Sequence, residues 1–489
     1  MRAIIFMPRY IAMSTCGVIF LWMLNADYGI INVTLRKMGL QGVPWLEDRR
    51  MAMVSVLVLT GWHGVGYGMM IYLSAMLGIS RDYFEAAELD GASGVQTFRY
   101  ITLPLLSPTT LFLLITTFIS SMKVFQSVDV LTGGGPYNST EVFVYYIYRL
   151  AFRDFRIDRA SVNALLFFVI LLVVTASTIR ITNKNVHYDA LGGRSITVKT
   201  VNDRNALNTH VRAVKQAKNT VRFIFALLIT LVFIFPIFWM VSTSLKPEDE
   251  VLNATQTLLP VKWQFSNYAT VMRKEPFLRY MLNTAIVTAG SMLLELSTGI
   301  LAAYSFARGR YRGKHAMFIF VLGAMMVPIQ VTFVPLYVMI ARAGLKNTYL
   351  GLIIVGAVSP YTIFMLRQAF MGVDESYLDA ARVDGMGKLG VIFRIMVPMC
   401  KPTLVTMVLM SFIGGWNTYF WPSIIANDSV NVRVLTLGLM HLKQSFSGES
   451  IRNYHEIMAG ALISILPVLV MFAIFQKQML SGYTKAAMK

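Results

Sequence analysis

Hydrophobic residues in this chain run in long unbroken blocks, not in the short alternations of strands or the narrow stripes of surface helices. A helix needs about 20 consecutive apolar residues to cross a bilayer, and blocks of that length recur throughout. The pattern predicts ten spans, at about 4–24, 54–77, 108–128, 159–181, 220–244, 280–306, 316–341, 349–371, 402–424 and 457–477. Four precede residue 182 and six follow residue 219. The fold class expected is an all-α polytopic membrane protein.

The polar segments set the topology. Arg180–Arg222 carries nine Lys/Arg against two acids, Asp189 and Asp203, and such density marks the cytoplasmic side of a membrane protein. Ala307–His315 lies two spans later and holds four basic residues and no acid, as the alternation requires. Counting outward from these two anchors places Glu85–Pro104 and Asp379–Pro398 on the cytoplasmic side as well.

Those two loops are copies of one another. The first reads E-A-A-E-L-D-G-A-S-G-V-Q-T-F-R-Y-I-T-L-P and the second D-A-A-R-V-D-G-M-G-K-L-G-V-I-F-R-I-M-V-P, offset by 294 residues. The same offset pairs Pro108 with Pro402. Each copy predicts a short helix, a sharp bend at Asp90-Gly91 or Asp384-Gly385, and a second amphipathic piece ending at a proline. Such a knob suits a groove on a soluble partner. The offset divides the chain into a first half at 1–181, a basic linker at 182–219 and a second half at 220–489. It also pairs position 1 with 295, so residues 220–294 have no counterpart, and the first half is expected to lack about 75 residues of the unit.

Composition narrows the class. With 489 residues, 56% hydrophobic and 14% charged, at a mean hydropathy of +0.58, the chain is too apolar for a soluble protein. A net charge of +19 raises nucleic acid as a partner, but no basic stretch is interleaved with aromatics. The charge belongs instead to loops facing the lipid surface, and no nucleic-acid partner is expected. Cys16 and Cys400 are too few and too far apart for a disulfide framework or a metal site. Met1–Leu24 has a basic start and an apolar body but no small-x-small cleavage site, so it predicts a first membrane helix.

Catalytic signatures are missing from the sequence. No G-x4-G-K-[S/T] occurs, and Gly133–Gly135 have no lysine placed to hold phosphate. His455-Glu456 is not followed by a second histidine at zinc spacing. The chain is expected to be no enzyme and to hold neither cofactor nor metal.

The loops resemble the membrane subunits of bacterial ABC importers, whose signature is E-A-A-x3-G-x9-I-x-L-P. Glu85, Ala86, Ala87, Gly91, Ile101, Leu103 and Pro104 match it in full. The second copy keeps Ala380, Ala381, Gly385, Ile395 and Pro398, and departs at Asp379 and Val397. Leu131–Tyr148 is similar to the first permease of sugar and glycerol-3-phosphate importers. Thr243–Lys246, Met326–Gln330 and Gly415–Pro422 are similar to the second. The resemblance implies two permease halves fused in one chain, in the bacterial inner membrane, with the linker and both loops in the cytoplasm. It implies two ATPase subunits docked on the loops, and a periplasmic or lipid-anchored solute-binding protein. Halves of this kind have six spans each, so the first is short.

Polar residues within the spans supply the candidate solute path. Lys123, Gln126, Gln330, Trp416, Asn417 and Tyr419 combine aromatic faces, amides and a cation, which suit a sugar or a phosphorylated polyol. Glu295 sits mid-span, where a carboxyl either lines a pathway or is paired within the bundle. Lys123 and Glu295 also leave open an ion-gradient-driven secondary transporter. The missing spans leave open a truncated product that does not transport.

Overall fold

The computed structural model describes residues 2–185, 209–253, 255–327, 329–445 and 453–487. These residues form helices and connecting turns, with no strand among them. Most of the linker expected at 182–219 lies outside the described residues, as does the side chain of Gln330.

Among the described residues, five helices are long and apolar enough to cross a membrane: Met51–Leu77, Ile157–Thr175, Thr220–Ser244, Phe277–Arg308 and Tyr454–Phe475. Four further spans are bent. Ala3–Tyr10 turns by 106° into Met13–Met23, where Ile11 and Ala12 are extended. Tyr349–Gly356 turns by 46° into Pro360–Met371. The remaining two carry the repeated loops: Gly94–Leu105 turns by 62° into Ser107–Met122, and Lys388–Met399 by 87° into Lys401–Ile425. The span expected at 316–341 is instead two short helices, Lys314–Met325 and Val331–Arg342. Val327 is extended at the break, as a residue preceding a proline tends to be.

The two halves share one core. The largest buried cluster joins Trp22, Val128 and Tyr145 of the first half to Trp239, Phe333, Tyr419 and Ile457 of the second. Trp22 stacks on Tyr454 with ring centroids 4.1 Å apart, and its indole N–H donates to Thr243 Oγ1 at 3.3 Å. A second cluster gathers Phe6, Tyr10 and Met70 with Phe277, Trp416 and Phe472. Buried surface between the halves is therefore apolar and aromatic, which makes them one packed body.

Candidate coupling loops and solute cavity

The sequence repeat is a structural repeat. Arg81–Leu89 and Glu375–Val383 are nine-residue helices at equivalent positions. Ser80 caps the first by accepting from the Asp82 amide at 3.3 Å, and Asp374 caps the second by accepting from the Ser376 amide at 2.9 Å. Gly91 and Gly385 then reverse the chain at φ +72° and +75°, a left-handed geometry that a side chain would strain. In both copies a π turn follows, at Phe98–Thr102 and at Val391–Met396, and leads into Pro104 or Pro398. Proline has no N–H for the carbonyl four residues back, so widening the helix there relieves the mismatch.

Burial separates the roles of the signature residues. Ala87 and Ala381 face inward and are buried, since only a small side chain lets the loop helix lie close on the structure beneath. Glu85, Ala86, Asp379 and Ala380 are exposed, as are Gly91, Leu103, Pro104, Gly385 and Pro398. Ile101 and Ile395 are half-buried. Leu89 and Val383 end the two loop helices 90% and 88% exposed, an apolar tip repeated at the same position.

The second loop rests on a packed cluster that includes Ile300, Ala303, Leu366, Leu378 and Met396. Higher in that half, Glu295 is held from both sides: Thr362 Oγ1 donates to one carboxylate oxygen at 2.5 Å and Ser411 Oγ to the other at 2.6 Å. It borders a cavity of about 410 Å³, together with Ser291, Tyr361, Thr418 and Trp421. Aliphatic walls with a few polar groups are what solute pockets usually present.

Where the halves meet, Tyr419 donates its hydroxyl to Asp129 Oδ2 at 2.6 Å. Arg153 Nη2 approaches Asp129 Oδ1 at 3.3 Å, and Lys443 Nζ donates to the Val130 carbonyl at 2.8 Å. Burial pushes the Asp129 carboxyl above its usual range, opposed by the Tyr419 hydrogen bond and by the Arg153 and Lys443 charges.

The model of the family "Binding-protein-dependent transport system inner membrane component" matches residues 1–183 and again 295–480. The chain belongs to that family. It is a multi-pass membrane protein with two homologous permease halves, a membrane component of a transport system. The arabinooligosaccharides transport system permease protein AraQ of Bacillus subtilis is 31% identical over 269 residues, 54% of this chain and 94% of that protein. The sn-glycerol-3-phosphate transport system permease protein UgpE of Pectobacterium atrosepticum is 26% identical over 255 residues, 51% of this chain and 90% of its own. A solved chain of a bacterial ABC transporter for import of the acidic polysaccharide alginate aligns at a TM-score of 0.49 and 23% identity. It covers 56% of this chain and 99% of its own.

In this permease the expected path residues are divided between two places. Lys123 ends the Ser107–Met122 helix and borders a separate cavity of about 210 Å³ with Phe168, Leu171 and Met325. Gln126 starts the next short helix, and its Nε2 is enclosed without a hydrogen-bond partner among the described residues. Trp416 is buried, stacks on Phe412 and donates its indole N–H to Ser464 O at 3.3 Å. Asn417 donates to Tyr10 O at 2.6 Å, and Tyr419 is taken by Asp129. Asn417 and Tyr419 thereby tie the second half to the first, while the bonds of Trp416 stay within the second. Sequence reasoning passed over Ser291, Thr362 and Ser411, hydroxyls with no spacing to mark them, and over Thr418, which stands between the more conspicuous Asn417 and Tyr419.

Proposed function

We propose that this chain is the transmembrane component of an ATP-driven importer for a carbohydrate or glycerol-phosphate-like solute. It comprises two permease units, 1–181 and 220–489, joined by a cytoplasmic linker at 182–219, in the bacterial inner membrane. Two ATPase subunits bind and hydrolyse ATP and dock on Glu85–Pro104 and Asp379–Pro398. A periplasmic or lipid-anchored binding protein delivers the solute.

The observation that carries this reading is the matched pair of loops. Each offers a capped helix, an apolar tip at Leu89 or Val383, and an acid at Glu85 or Asp379 open to solvent. A lone loop of this kind is an ordinary turn between helices, but two in register suit two copies of a soluble motor. The named substrates of AraQ and UgpE support a polyhydroxylated solute. In this reading the solute passes the cavity beside Glu295, where Ser291 and Thr418 meet sugar hydroxyls and Trp421 offers an aromatic face.

Reconstitution in vesicles with the ATPase and binding protein tests the proposal. Uptake that requires ATP inside and binding protein outside supports it. Uptake without ATP that follows an imposed proton gradient overturns it in favour of a secondary transporter, and no uptake under either condition indicates a chain that does not transport unaided.

A further inference from the structure

Glu295 places one acidic group in an apolar span, and the walls of its cavity supply no counter-charge. Among the described residues, no lysine, arginine or histidine lines the space of about 410 Å³ that it borders. Two first-half cations are placed elsewhere: Arg9 stands 5.7 Å from the Tyr67 ring centroid, and Lys123 borders the separate cavity beside Phe168. A charge taken out of water is ordinarily paired, so an acid without a cation is unusual within a span.

The partners of Glu295 are hydroxyls. Thr362 Oγ1 donates to one carboxylate oxygen at 2.5 Å and Ser411 Oγ to the other at 2.6 Å, lengths that fit an ionised acceptor. A carboxylate offers about four lone-pair sites, so roughly half stay open after these two bonds. Around it, Ser291 and Thr418 add hydroxyls to the walls. Trp421 spends its indole N–H on the Gly351 carbonyl at 3.2 Å, which leaves ring surface for the cavity. The volume lies in the range of small-molecule pockets, roughly 300–1,000 Å³, and far exceeds the needs of a bare ion. In a poorly polarisable enclosure the field of one uncompensated charge reaches far, drawing in a cation and repelling an anion.

We infer that this cavity recognises a solute bearing a protonated amine, an amino sugar or amino polyol, and turns away a phosphorylated one. The ammonium meets Glu295, the ring lies on Trp421, and the remaining hydroxyls meet Ser291 and Thr418. The inference rests on the proposed passage of solute through this cavity and narrows it to one chemical class.

The full chain carrying Ser291→Cys is treated in detergent with a cationic aminoethyl and an anionic sulfonatoethyl methanethiosulfonate. The parent chain, whose Cys16 and Cys400 are buried, gives the background. Relative to a small free thiol, the cationic reagent should react several-fold faster than the anionic one. Adding Glu295→Gln, in a chain that still elutes as a single species, should abolish that preference. Below neutral pH, glucosamine should slow the modification several-fold more than glucose, and glucose 6-phosphate least; this comparison needs no change at Glu295. No reaction above background, a preference untouched by Glu295→Gln, or equal effects of the three sugars would overturn the inference. Slowing by sodium chloride and not by glucosamine would also overturn it, assigning the site to an inorganic cation. Neither ATP nor a binding protein enters these measurements, so their failure is distinct from a failure of ATP-driven uptake in vesicles.

Discussion

Tyr419 and Asp129 stand in different halves of the chain, and the Tyr419 hydroxyl donates to the Asp129 carboxylate at 2.6 Å across that boundary. Its setting gives it weight: both residues are largely buried, and Arg153 shares the carboxylate by ion pairing at 3.3 Å. A hydrogen bond to a charged group contributes roughly 1.5–3 kcal/mol. Tyr419→Phe deletes it without changing the ring. The thermal midpoint in detergent should drop clearly below that of Tyr137→Phe, which alters an exposed loop residue. Equal midpoints for the two variants would mean that the bond does not hold the halves together.

The loop tips give the second prediction. Leu89 and Val383 are solvated, so Leu89→Asp and Val383→Asp should leave the elution profile of the chain unchanged. Burying one such side chain against a partner contributes about 1.5–3 kcal/mol, so each substitution should weaken ATPase co-purification by roughly tenfold or more. The double variant should lose the ATPase altogether. Retention of the ATPase by the double variant would exclude docking at these loops. Glu85→Ala should act in the same direction but less strongly, since exposed ion pairs contribute roughly 1 kcal/mol or less.

Glu295 gives the third. Its two hydroxyl donors sit on the Pro360–Met371 and Lys401–Trp416 helices, so one carboxyl ties three helices together. Hydrogen bonds between membrane helices contribute roughly 0.5–2 kcal/mol each. Glu295→Gln keeps an acceptor and should melt close to the parent, whereas Glu295→Leu should melt lower. If the carboxyl instead carries transport, Glu295→Gln will abolish uptake at an unchanged melting point. Measuring both quantities on both variants separates the two roles.

Much of this was legible in the sequence because the signals were long-range and periodic. Apolar blocks located the spans, and the 294-residue offset located the loops, down to equivalent glycines at Gly91 and Gly385. Two kinds of information were not legible. Val327 and Ile11 break predicted spans through local backbone geometry, where hydropathy continues across the bend. Trp416, Asn417 and Tyr419 have the chemistry of a sugar site, but their partners Ser464, Tyr10 and Asp129 lie 48, 407 and 290 residues away. A single sequence cannot show which of two polar uses a buried side chain has found.

Lys246 offers a test through pH. It is fully buried just beyond the Thr220–Ser244 span, with its ammonium donating to the Thr257 carbonyl and lying 4.5 Å from the Trp239 ring centroid. Glu250 stands 4.0 Å away. Burial lowers its pKa from the ordinary 10.5 to about 8, with Glu250 opposing the shift. From about pH 8 up to the ordinary lysine value the unfolded chain therefore binds the extra proton, and stability from this group rises with pH. Below about pH 8 both states are charged and that contribution is gone. Lys246→Met keeps most of the stem and removes the titration. The difference in melting temperature between parent and variant should shift in favour of the parent as the pH is raised from 7.5 to 10. Parallel melting curves over that range would show that Lys246 does not change its charge there.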